Sequence, residues 1–208
     1  MTLIMHFDRN DQNAATLDGG TVISQTGTYT GTIRQAAVGA GSNGAQYLDF
    51  IFKSDDGRSC NVRLYVTKND GTESFGRKIF DALLVVIGAQ SADVVEGKVY
   101  TRDKNAPGGV RVDQGYRVPA VEGKPVGMLL QRENYSYNGR ESYRLNLLTA
   151  FDPKTRRVAK EILAGATEAK LLDQRAAATH DRASQSSQAS APSSVPAGGG
   201  FTNDDVPF

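Results

Sequence analysis

Residues 47–67 alternate between apolar and polar side chains twice over, broken only by Asp55-Asp56-Gly57, and this pattern limits the fold more than any other. Leu48, Phe50 and Phe52 share one face, with Tyr47, Asp49, Ile51 and Lys53 on the other. Cys60, Val62, Leu64 and Val66 then alternate with Asn61, Arg63, Tyr65 and Thr67. A period of two belongs to a strand with one buried face, and an Asp-Asp-Gly break is a turn signal. The stretch therefore predicts two antiparallel strands with an apolar inner face. A third strand, Tyr29–Val38, precedes them and leads into Gly39-Ala-Gly-Ser-Asn-Gly44. That spelling matches a dinucleotide-binding loop, which requires a following helix to receive phosphate on its N-terminus. A strand follows instead, so the loop is read as a turn in a three-stranded meander.

Beyond the meander, Phe75, Ile79, Leu83 and Val86/Ile87 recur near helical spacing within Ser74–Ala89, and Gly88 suits the helix end. Residues 92–123 form a polar insertion holding a hairpin of Val94–Arg102 and Val110–Val118. Two more strands are expected at Val126–Arg132 and Tyr143–Phe151, connected by Glu133–Ser142. Asp152-Pro153 has the chemistry of an N-cap followed by a first-turn proline. It predicts a helix with Val158 and Ile162 on one face, broken at Gly165 and resumed over Thr167–Ala178. Val158, Ile162, Leu171 and Leu172 could pack on the body or serve dimerisation. Five strands with a helix between the third and fourth is the order of an OB-fold, a small Greek-key barrel. The chain is thus expected to be mainly β, with an N-terminal arm at 1–21 and an OB-fold body at 22–152. A helical segment at 153–179, a disordered linker at 180–200 and a short tip at 201–208 complete it.

Composition narrows the function classes. Lys+Arg number 24 against 23 Asp+Glu, so no bulk charge announces a partner. Residues 180–208 hold one Arg against three Asp, which leaves the body mildly basic and the tail acidic. That asymmetry is a weak sign of a nucleic-acid binder. One cysteine, Cys60, excludes an internal disulfide framework, and with two histidines it argues against a structural zinc site. No apolar run reaches the roughly 18 residues of a membrane span. The N-terminus lacks the basic and apolar regions of a signal peptide. A cytoplasmic protein without cofactor or metal is expected. His6 and His180 fall in ends expected to be mobile, Cys60 alternates with core residues, and Asp55-Asp56 is explained by its turn. No constellation for acid–base catalysis emerges, so no enzyme activity is expected.

Of the 18 residues in Ala183–Gly200, all but Val195 are Ser, Ala, Gln, Pro or Gly. Such a stretch buries too little apolar surface to offset its ordering entropy. The chain then ends in Asn203-Asp-Asp-Val-Pro-Phe208. This ending resembles the acidic tip of bacterial single-stranded DNA-binding proteins, with Asp204, Asp205, Val206, Pro207 and Phe208 in matching places. Asn203 stands where a third acidic residue is often found. The body is more similar to a bacteriophage-encoded family of the same role, through Thr26–Thr32, Asp49–Lys53, Gly76–Ile79, Gly127–Gln131 and Phe151-Asp152. The resemblance implies sequence-tolerant binding and protection of single-stranded DNA in replication, recombination or repair, by a homo-oligomer. It also implies recruitment of host or phage replication and repair proteins through the tip, such as exonuclease I or a clamp-loader subunit. Chemically, Phe208 can enter an apolar pocket while a partner cation takes the terminal carboxylate.

For the body, Tyr47, Ile51, Lys53, Arg63 and Tyr65 fall on one outward surface if their strands pair. Rings stack bases and cations meet phosphates, which is the requirement of sequence-tolerant single-strand binding. The bland reading is that the tyrosines merely cover the barrel. Arg132, Tyr135, Tyr137, Arg140 and Tyr143 cluster in what would be the second gripping loop of an OB-fold, or else in a plain Asn138-Gly139 hairpin. Arg102, Lys104, Arg111 and Arg117 would extend a basic channel. Two rival readings remain, an OB-like adaptor that binds protein and a recombination annealing protein.

Overall fold

A computed structural model of the chain describes residues 22–102, 105–106, 110–137 and 139–183. The N-terminal arm, Lys104, the linker from 184 and the tip with Asp204, Asp205, Val206, Pro207 and Phe208 lie outside these residues. The elements are β1 (Gly27–Ala40), β2 (Gln46–Ser54), β3 (Ser59–Tyr65), α1 (Phe75–Val86), β4 (Val95–Arg102) and β5 (Val110–Arg117). A short 3-10 turn at Pro119–Val121 follows, then β6 (Pro125–Tyr137), β7 (Arg140–Phe151), α2 (Ala159–Leu163), α3 (Leu171–Ala178) and β8 (Arg182–Ala183). The protein is mainly β, and its seven longer strands pair with one another only in antiparallel fashion among the described residues.

β1 organises the sheet because it serves three partners. Gly31–Ala40 pairs with β2, Gly27–Thr32 with β6, and Ala37-Val38 with β5. A bulge at Arg34 separates Ile33, opposite Phe52, from Gln35, opposite Ile51. From β2 the sheet continues to β3, from β6 to β7, and from β5 to β4. Among the described residues no ladder joins β3 to β7, so the sheet is open along that seam. One apolar cluster nevertheless spans it. Phe50, Phe52, Cys60, Val62 and Leu64 from one side meet Met128, Leu130, Leu145 and Leu147 from the other.

α1 covers one end of this core with Ile79, Phe80 and Leu83. It approaches so closely that a Cβ at Gly76 would lie 2.0 Å from the Tyr65 carbonyl oxygen. The Ser74 hydroxyl donates to that same carbonyl, tying the helix start to the end of β3. A smaller cluster on the other side of the β6–β7 pair joins Leu129 and Phe151 to Val158 and Leu172. Val158 and Leu172 therefore pack on the body.

Three expectations need correction. Asp152-Pro153 does not open a helix, because the Asp152 carboxylate accepts from the Lys154 amide (3.0 Å) and the Thr155 hydroxyl (2.7 Å) to close a turn. The helix starts at Ala159 instead, where the buried Glu161 carboxylate accepts from the amides of Val158, Lys170 and Leu171. Glu133–Ser142 is not a loop but the outer half of the β6–β7 hairpin, paired out to Tyr137 opposite Arg140. Only two residues then remain for the turn, and Gly139 takes the positive φ (72°) that a two-residue hairpin turn demands. Finally, the linker does not begin at 180. Asp181 accepts from the Thr26 hydroxyl, and β8 pairs in parallel with Glu133-Asn134. No helix among the described residues is long and apolar enough to cross a membrane.

Candidate nucleic-acid interface

The outward residues of β2 and β3 meet in register: Tyr47 faces Tyr65, Asp49 faces Arg63, Ile51 faces Asn61 and Lys53 faces Ser59. Tyr47 and Tyr65 touch edge to face, with ring centroids 5.6 Å apart. The Arg63 guanidinium stacks 3.8 Å from the Tyr47 centroid. A Cβ at Gly39, opposite Tyr47 in β1, would fall 2.5 Å from that ring, so glycine alone lets the ring lie across β1. Tyr47 is thus packed between backbone and guanidinium. Tyr65, at 46% exposure, is the ring with open surface.

This face is the floor of a groove. A cleft of about 660 Å³ is floored by Gln35, Ala37, Asp49, Ile51, Asn61, Arg63 and Tyr65. One wall is Val99, Tyr100 and Thr101 of β4, and the other is Tyr135, Arg144 and Asn146 of the β6–β7 hairpin. Flanking clefts of about 340 and 370 Å³ share lining residues with it and follow the open seam. Along them Ser59–Asn61 faces Tyr143–Leu145, and Arg63–Tyr65 faces Asn146–Leu148, so β3 and β7 run side by side in the same direction. From Tyr47 to Lys53 the outward face of β2, whose middle residues Asp49 and Ile51 line the cleft, is about 20 Å long at the rise of an extended strand.

The wall at β4 is held by an amide. Gln35 donates through Nε2 to the Tyr100 carbonyl (3.0 Å) and accepts from the Tyr100 amide (2.7 Å), as a neighbouring strand would. A second tie is Glu122, which takes both Arg117 and the amide of Ala36. The opposite wall rests on Glu133, which is buried beneath Arg144 and Asn146. The two-point bond from Arg144 holds its carboxyl below the usual range, against the opposing push of burial.

The expected residues divide accordingly. Arg63, Tyr65 and Tyr135 come together at the groove, and Tyr47 packs against Arg63 and Tyr65 outside its lining. Lys53 is exposed at the far end of β2, and Arg140 is exposed beside the hairpin turn, on the strand face that Tyr135 occupies. Arg132 is on the opposite face of β6. It donates to the Ser24 carbonyl and stacks 4.6 Å from the Tyr143 centroid, so it braces the chain before β1. Arg102 and Tyr137 sit in their strands opposite Val110 and Arg140. Arg117 is spent on Glu122 and Arg111 on Asp113. Cys60 is buried, and burial pushes its thiol up to about 12, which removes the thiolate needed for nucleophilic chemistry.

Sequence reasoning missed Gln35, Asp49, Asn61, Arg144 and Asn146 as groove residues. Asp49 and Asn61 were on the outward face of the alternating strands, and that phase was sufficient to find them. Gln35 carried no signal, because the bulge at Arg34 changes the phase before it. No protein-family model matches the chain, and no curated protein matches it.

Proposed function

We propose that the protein binds single-stranded DNA, without strong sequence preference, in the groove between the β4 wall and the β6–β7 hairpin, on an OB-type barrel left open along the β3–β7 seam. The observation that carries this reading is the floor itself. An open tyrosine beside a guanidinium lies in a cleft of about 660 Å³ that flanking clefts continue along the open seam. Base stacking is indifferent to sequence because every base has a π-face. The order β1-β2-β3-α1-β6-β7 and the same-direction run of β3 and β7 support the barrel assignment. In this reading the protein coats single strands during replication, recombination or repair, and its C-terminal tip recruits partner proteins. The body acts by binding and not by catalysis.

The test is a fluorescence-anisotropy titration of labelled oligo-dT, competed with unlabelled duplex. Tight binding that duplex fails to displace is expected. Tyr65→Ala should weaken it by about 1–3 kcal/mol, the contribution of one stacked base. Tyr47→Ala should act less directly, through release of Arg63. No binding of oligo-dT at low salt would overturn the proposal. The exposed Val94, Val95, Val110, Val112 and Tyr116 around the β4–β5 hairpin would then favour a protein-binding adaptor.

A further inference from the structure

The groove proposed above is not the basic channel that single-strand binding usually employs. Two guanidiniums line its central cleft, and each is already engaged by a carboxylate. Arg63 donates through Nε and Nη2 to the two Asp49 oxygens, both at 2.7 Å. Arg144 donates through Nε (3.0 Å) and Nη2 (2.8 Å) to the two Glu133 oxygens. Glu133 also accepts from Asn146 at 2.7 Å, which fixes that pair from a third side. Both guanidiniums spend their Nε–Nη2 edge on a carboxylate that also matches their charge, so each has less charge and one fewer two-toothed edge to offer a phosphate. Cationic side chains stand toward the ends, with Lys53 at the end of β2 and Arg182 on the flanking cleft near α1.

Resting on the single-strand reading, we propose that Asp49 and Glu133 are specificity-determining residues that deny the centre of the groove to phosphate and admit bases. A strand must then enter with its bases turned to the floor, against Tyr65 and the exposed guanidinium plane of Arg63. Its phosphates remain outside the central cleft and meet cations only at the ends. Asp49 acts directly, since its carboxylate lines the cleft, and Glu133 acts from beneath the wall by holding Arg144.

Two measurements on the full chain test this. The first is the salt dependence of oligo-dT binding. A single strand loses about 0.7 in log K per log salt for each phosphate neutralised. The wild-type slope should be no steeper than roughly −2, the value for about three contacts. Asp49→Asn, with an unchanged melting temperature, should steepen it by about 0.7 as Arg63 becomes available to one phosphate. The second uses an abasic oligomer of equal length, which keeps every phosphate and loses every base. Wild type should bind it at least about tenfold more weakly, since one lost stack has that effect. A wild-type slope steeper than roughly −3, or equal affinity for the abasic strand, overturns the proposal while leaving single-strand binding intact. An Asp49→Asn slope equal to that of wild type overturns the role of Asp49. If Asp49→Asn fails to fold, the abasic comparison on wild type decides alone. Failure of wild type to bind oligo-dT at all overturns the single-strand reading and this proposal together.

Discussion

The floor and the β4 wall of the groove are both β-structure, yet they are held by different physics. The floor, β1–β2–β3, is continuous ladder backed by fully buried Phe50 and Phe52. The β4–β5 hairpin presents a largely exposed surface, and its ladder to the rest of the sheet is two residue pairs long. What places it is polar: Gln35 on the backbone of Tyr100, and Glu122 on Arg117. Apolar burial fixes a surface by bulk and tolerates no exchange with water. A few hydrogen bonds fix a wall by direction, and each can be replaced by water when it opens. A groove with a rigid floor and a separable wall can accept a long polymer from the side instead of by threading.

The largest effect should come from the floor. Phe50→Ala removes a fully buried ring and should cost about 3–5 kcal/mol in denaturant unfolding, with the whole domain melting together. Next comes the wall. Gln35→Ala leaves the amide and carbonyl of Tyr100 without their partner and should cost about 1–3 kcal/mol locally. Hydrogen exchange should then quicken at Tyr100 while amides of Val62 and Leu64 keep their protection. Cys60 offers an independent reading of the same contrast. Its buried thiol should stay inert to maleimide in native Gln35→Ala protein and react only on global unfolding. Equal acceleration at wall and floor would mean that the two are one cooperative unit.

The smallest effect lies in the turn between β2 and β3. The hydrogen bond from Arg58 holds the Asp56 carboxyl down to about 2, with Ser54 adding to it and burial opposing. A carboxyl lowered on folding stabilises the native state above its unfolded value near 4 and ceases to as pH falls toward 2. Asp56→Asn should therefore flatten acid unfolding slightly between about pH 4 and pH 2, and leave stability at pH 7 a little lower. Half-exposed as Asp56 is, solvent screening keeps this shift small.

How much of this was legible follows the same division. The floor could be read because burial imposes a period of two on the sequence, and the outward phase named Tyr47, Arg63 and Tyr65 correctly as neighbours. The helix after β3 was legible from its 3.6-residue spacing. The β6–β7 hairpin was read too short because Glu133, Tyr135 and Ser142 lie beyond the core, where no apolar alternation marks a strand. The pairing of Arg63 with Asp49 and of Arg144 with Glu133 needs cross-strand register, which one strand's sequence does not contain. Asp152-Pro153 misled because the chemistry that caps a helix also closes an Asx turn. The choice between them was made by the buried Glu161, nine residues on.

The bulge at Arg34 works as a change of reading frame within a single strand. Upstream of it Ile33 is a core residue, and downstream Ala36 takes the core position while Gln35 turns to the groove. One extra residue thus lets β1 be written in two phases, one addressed to the interior and one to the wall. Flattening the bulge, with Arg34 paired as an ordinary rung, would merge the phases. Strict alternation from Ile33 would then carry the Gln35 amide into the core and the Ala36 methyl group to the place where β4 is fastened, so that the shape of the groove rests on the one residue that β1 leaves out of its ladder.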